Sequence, residues 1–245
     1  LSFIIEEGLR VEEFWEILKS IRNACLAADV QIVTGDTKVV EKGSGDKIFI
    51  NTSGIGEMHP KADIALSRVE AGDRIVLSGP IAAHGVAVMS RRPGLEFETT
   101  VQSDTRPLHW AVEALLDEHG AAIHLLRDPT RGGLATTLNE IARDAGVGIQ
   151  LVQDAIPIGE DVKGACELLG LDPLYVANEG VFVAVVSGDS AEAVVETLRG
   201  LEEGRRAAVV GEVVDAHPGK VVLRSGIGGT RVVNMLAGAQ LPRIC

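Results

Sequence analysis

Aromatic residues are scarce: two Trp, one Tyr and five Phe make up 3% of 245 residues. A core must therefore be built from Val, Ile, Leu and Ala, which points to sheets covered by helices and away from an aromatic-rich binding surface. Cysteine is almost absent. Cys25, Cys166 and Cys245 are odd in number and far apart, which excludes a disulfide framework and a CxxC zinc pattern and makes a reducing cytoplasm the expected compartment. Basic residues are few, 23 against 35 acidic, for a net charge of -12. With no Lys/Arg block to offset it, that balance argues against a nucleic-acid partner. No uncharged apolar run reaches the roughly 18 residues of a membrane span, and no secretory signal is expected. No internal repeat and no Walker A pattern, GxxxxGK[ST], occur. The chain opens on Leu1-Ser2-Phe3-Ile4-Ile5 without a Met, reading like a strand cut from a longer or processed chain.

What is present suffices for a sizeable core, since 46% of the residues are hydrophobic. Apolar spacing predicts an amphipathic helix from Glu7 to Ala28. Strands are predicted at 31–40 and 47–51, joined by a hairpin-type turn at 41–46, with 59–70 as a linker. A second block begins near Arg74: strands at 74–78 and 122–127, helices at 107–119 and 134–145, and a buried central strand at 181–186. A helix at 190–201 and short strands at 207–214, 221–224 and 231–233 follow, with Gly226-Ile227-Gly228-Gly229 as a hairpin turn. The succession is mixed rather than strict βαβ, so the expected class is α/β with mixed (α+β) sheets.

Five segments could carry chemistry, each with a plainer structural reading. In Thr34-Gly35-Asp36-Thr37-Lys38, Asp36 suits Mg²⁺ and Lys38 a phosphate; otherwise this is a polar strand. In Asp128-Pro129-Thr130-Arg131-Gly132-Gly133, Asp128 or Thr130 caps the next helix, or the glycines and helix start meet an anion. Ala177-Asn178-Glu179-Gly180 sets Glu179 at the mouth of an apolar strand, a place for a general base, or is a turn with a solvated Glu179. His84 lies in a glycine-bounded loop, Ser78 to Gly85, either as a ligand-binding or as a structural histidine. Finally, Cys245 ends the chain behind Pro242-Arg243-Ile244. It is not a CaaX box, and an exposed thiol is a liability unless it is used.

In order along the whole chain, Leu1-Ser2-Phe3-Ile4-Ile5-Glu6-Glu7-Gly8, the Gly35-Asp36-Thr37-Lys38 segment, Asn51-Thr52-Ser53-Gly54, Ser78-Gly79-Pro80-Ile81, Asp128 to Gly133, Asn178-Glu179-Gly180 and the terminal Pro242-Arg243-Ile244-Cys245 resemble the HypE family of hydrogenase-maturation proteins, within the PurM-like superfamily of ATP-dependent enzymes. The resemblance implies a PurM-like two-domain architecture. The expected division is 1–70 as the remainder of an ATP-binding and dimerisation domain, incomplete at its N-terminus, 71–235 as the C-terminal domain, and 236–245 as a tail carrying Cys245. It implies that a HypF carbamoyltransferase loads the Cys245 thiol, that ATP then drives dehydration of the S-carboxamide to a thiocyanate, and that the cyanide passes to a HypC–HypD complex for hydrogenase iron. The expected nucleotide-binding residues are Gly35, Asp36, Thr37, Lys38 and Asp128, with Asp36 on Mg²⁺. The expected reacting groups are Cys245, Glu179 and Lys38, with Asn178 and His84 orienting the amide or the base. Family motifs that help hold Mg-ATP would precede Leu1, so weak ATP turnover is expected of this stretch alone. The alternatives are a PurM-like synthetase acting on a free amide, or a module that only presents the thiol to partners.

Overall fold

The computed structural model describes residues 1–91 and 99–236. The chain divides into two compact units, Leu1–Met58 and His59–Cys245, so the division falls ahead of 59–70. That segment packs with the second unit: Ile64 and Leu66 lie against its core, and Ala65 donates its N–H to the His124 carbonyl at 3.0 Å.

In the first unit, strands β1 (Ser2–Glu6), β2 (Asp36–Val40) and β3 (Ile48–Asn51) form a sheet in the order β2-β1-β3. β1 runs parallel to β2 and antiparallel to β3. The segment 41–46 therefore does not close a hairpin, because β1 lies between the strands it joins. Glu6 holds it instead, accepting the N–H groups of Gly43 and Lys47. The predicted strand 31–40 pairs only from Asp36 onward, where its partner β1 begins at Ser2. Helix α1 (Val11–Ala27) starts later than the apolar spacing suggests. Gly8, at φ 101°, takes the chain out of β1 through a left-handed turn first. α1 meets the sheet through an edge-to-face contact of Phe14 on Phe3 at 5.3 Å.

The second unit is a seven-stranded sheet, ordered β10-β9-β6-β8-β4-β7-β5. Its strands are β4 (Arg74–Leu77), β5 (Ile123–Arg127), β6 (Gly148–Val152), β7 (Val183–Val186), β8 (Ala208–Val214), β9 (Val221–Arg224) and β10 (Thr230–Val233). Only β6 and β9 pair in parallel. Strand alternation splits the apolar residues between two faces. Ile75, Leu77, Val183 and Val185 join Leu134, Leu138 and Ile141 of helix α4 (Gly133–Ala145) on one side. Val76, Ala184 and Val186 join Leu115 of helix α3 (His109–His119) and Val194 and Leu198 of helix α6 (Ala191–Gly200) on the other. β7 is buried throughout, yet it lies second from the sheet edge rather than centrally. Both of its faces are covered, so its apolar run reports burial and not position. The β9–β10 turn is the expected hairpin. Helix α2 (Ala83–Met89) occupies what reads in sequence as a loop, and β6 and helix α5 (Glu160–Leu169) add to the elements that the sequence pattern predicts. Among the described residues, no helix is long and apolar enough to cross a membrane.

Candidate active site

The first unit presents Gly35, Asp36, Thr37 and Lys38 at the start of β2. Gly35 is required by closeness: a Cβ there would stand 2.9 Å from the Leu1 carbonyl oxygen. Asp36 is exposed, and its Oδ1 accepts the Thr37 N–H at 2.8 Å. Lys38 is exposed and is registered against Ile4, which is in turn registered against Phe49. These three side chains share the sheet face opposite Phe3. Lys38 makes no ion pair with any described residue, which leaves a compact ammonium available to an anion.

In the second unit, Asn178 is fully buried and fully occupied. Its Oδ1 accepts the Ala82 N–H at 2.7 Å, and its Nδ2 donates to the carbonyls of Pro129 at 2.8 Å and Val176 at 3.1 Å. It thus ties three segments together: the β4–α2 turn, the Asp128–Gly133 loop and its own. The turn needs that tie, because Ala82 sits at φ 76°, a left-handed conformation costly for a residue with a Cβ. α2 then lies flush on the same segment, with Gly85 donating to the Ala177 carbonyl at 3.1 Å and having no room for a Cβ 2.4 Å from Val176.

Glu179, next to this fixed amide, is half-buried, and its carboxylate makes no hydrogen bond or ion pair among the described residues. That combination, a fixed backbone with a carboxylate left free, is what proton abstraction needs. His84, in the first turn of α2, has its Nδ1 2.9 Å from the Ser103 Oγ. Asp128 is exposed, and its carboxylate is unpaired among the described residues. Neither it nor Thr130 caps α4: the cap position is Gly132, left-handed at φ 74°, with no side-chain cap bond. Gly133, at φ 62°, fits under the Leu174 and Val176 carbonyls, where a Cβ would approach to 2.6 and 2.7 Å. The glycine pair therefore answers to packing.

Lys38 and Asp36 belong to the first unit and His84, Asp128, Asn178 and Glu179 to the second. Cys245 lies outside the described residues. Of the other thiols, Cys25 is half-buried on α1, and Cys166 is buried, its pKa pushed up to about 11 by desolvation and then by Asp172. Cys166 therefore stays a protonated, poor nucleophile at neutral pH.

In sequence the segment 103–106 gives no sign of a role at the site. Asp104 Oδ1 accepts the Glu179 N–H at 3.1 Å, and Arg106 Nε donates to the Gly180 carbonyl at 2.8 Å. Its only sequence signal is a polar Ser-Asp-Thr-Arg run without periodicity. Glu70, Asp73 and His124, which no sequence pattern groups, bring their ligand-type atoms within 4.8 Å of one another. Asp73 Oδ2 accepts the Glu70 N–H at 3.0 Å and sits 2.9 Å from His124 Nδ1. That pairing closes the 70–73 turn onto β5 and accounts for the group without an ion.

Residues 1–58 match the model of the AIR synthase related protein N-terminal domain, and residues 70–224 that of its C-terminal domain, the PurM-like architecture. The chain is 48% identical to carbamoyl dehydratase HypE of Bradyrhizobium diazoefficiens over all of its own length and 70% of that protein. It is 39% identical to the Escherichia coli K12 protein of that name, again over its whole length and 71% of the relative. Among solved structures, it superposes with a TM-score of 0.94 and 45% identity on hydrogenase maturation protein HypE in complex with ATP, covering 100% of this chain and 74% of that one. On a HypE–HypF complex it superposes with a TM-score of 0.92 and 46% identity, covering 96% and 76%. A thiamine monophosphate kinase from Aquifex aeolicus, at 15% identity and a TM-score of 0.60, shares the fold alone. Matched by the two domain models over 1–58 and 70–224 and by relatives of this identity over its whole length, the chain belongs to the HypE family of carbamoyl dehydratases, which act in hydrogenase maturation.

Proposed function

We propose that the protein dehydrates an S-carboxamide carried on its own Cys245 to a thiocyanate at the expense of ATP, as the source of a cyanide ligand for nickel–iron hydrogenase. A HypF-type carbamoyltransferase loads the thiol, a HypC–HypD complex receives the cyanide, and the protein works as a homodimer. The observation that carries the chemical step is Glu179, a half-buried carboxylate with no partner among the described residues, on a turn fixed by the buried Asn178.

An amide oxygen leaves poorly until it is phosphorylated. As it attacks the γ-phosphorus of ATP, one N–H proton is lost and ADP departs, giving an S-bound imidate phosphate. Loss of the second N–H proton expels phosphate and forms the C≡N bond, so the atoms of one water are removed. Glu179 accepts a nitrogen-bound proton in each step, releasing the first to water before the second is lost. Phosphoryl transfer asks mainly for positioning and charge neutralisation, and Lys38 supplies a free ammonium for it. Asp36 fits Mg²⁺: one carboxylate with Oδ2 open suits an ion that keeps its waters and rides on phosphates. Bound there, the ion would neutralise phosphate charge. Asn178 serves the base through the backbone it pins, since its side chain has no bond left to offer. His84, held through Ser103, serves as an orienting group.

The decisive measurement is the intact mass of the carbamoylated protein with and without ATP. The carboxamide adduct should lose one water only with ATP, and Glu179→Gln and Lys38→Ala should each retain the adduct unchanged. A Cys245→Ala protein that still accepts the carbamoyl group would overturn the reading. So would ATP hydrolysis on a free amide that survives removal of the tail.

A further inference from the structure

Three residues of the segment 103–106 each grip a different part of the candidate site. Ser103 Oγ lies 2.9 Å from His84 Nδ1, and Thr105 supports it, its Oγ1 at 2.6 Å and its N–H donating at 3.1 Å. Asp104 Oδ1 accepts the Glu179 N–H at 3.1 Å. Arg106 Nε donates to the Gly180 carbonyl at 2.8 Å. Two glycines make room for this strap. A Cβ on Gly180 would stand 1.7 Å from the Asp104 carbonyl oxygen, and one on Gly79 would stand 3.2 Å from the Arg106 guanidinium.

The Glu179 N–H has no ladder partner, because β7 begins only at Val183, and a main-chain donor in a packed turn must be satisfied. Asp104 satisfies it at a cost. Its second oxygen, Oδ2, is sealed from solvent without a hydrogen-bond partner among the described residues. A carboxylate oxygen in that state is destabilising, and such outliers gather where placement matters to function. A neutral acceptor, or a turn closed by backbone alone, would have satisfied the N–H more cheaply.

We infer that Asp104 is a positioning residue for Glu179, and that the strap 103–106 sets the Glu179 carboxylate and the His84 imidazole as one unit. This rests on the reading of Glu179 as the base. The test uses the carbamoylated protein, with the single-turnover rate of ATP-dependent water loss followed by intact mass and ATP affinity by calorimetry. Asp104→Ala should slow the reaction about 100-fold, the scale of a misplacement near 1 Å, with ATP affinity unchanged. Asp104→Asn, which still accepts the Glu179 N–H through its amide oxygen, should recover most of the rate.

A wild-type rate in Asp104→Ala overturns the inference, as does an ATP affinity that falls in step with the rate. Equal losses in the Ala and Asn variants overturn it too, because they would make the charge, not the acceptor, the working feature. If the alanine variant does not fold, Asp104→Glu carries the test, since it moves the acceptor by one methylene, and a wild-type rate there is equally fatal. Glu179→Gln run in parallel separates the two readings. Full turnover in that variant sinks the assignment of Glu179 as base, whereas its loss beside an unaffected Asp104→Ala sinks the strap alone.

Discussion

Asn178 shows how a single side chain can matter to a site without touching a substrate. With no exposed surface, it satisfies one donor and two acceptors from three segments. Truncating it to alanine leaves those groups buried and unpaired, at about 1–3 kcal/mol each before relaxation. Asn178→Ala should therefore lower stability by roughly 3 kcal/mol, seen as a drop in the urea midpoint with little change in slope. Asn178→Asp should be worse, because it sets a carboxylate oxygen against the Pro129 and Val176 carbonyls in place of a donor. An alanine variant with the midpoint of the parent would remove Asn178 from the role of a tie. In sequence this residue reads as an orienting group in a turn. What hides its role is that its partners, Ala82 and Pro129, are far off along the chain.

At the scale of elements, local signals and non-local ones part company. The helices α3, α4 and α6 are legible because their apolar spacing meets a sheet face. The strand β7 is legible because both of its faces are buried. α2 is hidden by Gly85, a poor helix former that is there for its closeness to Val176. The hairpin expected at 41–46 fails for a topological reason, since nothing between β2 and β3 in sequence announces that β1 will insert between them. The same non-locality hides the strap 103–106, whose partners are residues 84, 179 and 180.

The turn at 41–47 carries its own pH signature. The Glu6 carboxyl is held below its ordinary 4.5 by the Gly43 N–H and then by the Lys47 N–H. A lowered folded pKa means this contribution is present above 4.5 and is lost as the pH falls through the folded value. The first unit should therefore unfold at lower urea once the pH drops below 4.5, while Glu6→Gln should show a weaker first unit whose midpoint lacks that acid step. A Gln variant that keeps the step would assign it to another carboxylate.

Over the whole molecule, the two units differ in what they bury. The second has a packed core on each face of its sheet. In the first, Phe3 is the only buried hydrophobic residue, and α1 buries none, while Trp15, Leu26, Val33, Phe49, Ile55 and Met58 are exposed. A unit that buries so little apolar surface has little to set against the entropy of ordering its chain. Two urea transitions are therefore expected rather than one cooperative step, with the amides of 1–58 losing hydrogen-exchange protection first. In the proposed homodimer a second copy would cover part of this surface, and association would stabilise it by mass action. Raising the protein concentration should then move the first transition to higher urea and leave the second in place. Phe49→Glu, which sets a charge on the exposed sheet face shared with Ile4 and Lys38, should abolish the concentration dependence without touching the second transition. A single coincident transition would refute the division into a dependent and a self-sufficient unit. Two transitions that both ignore concentration would leave that division standing and refute the second copy as the cover.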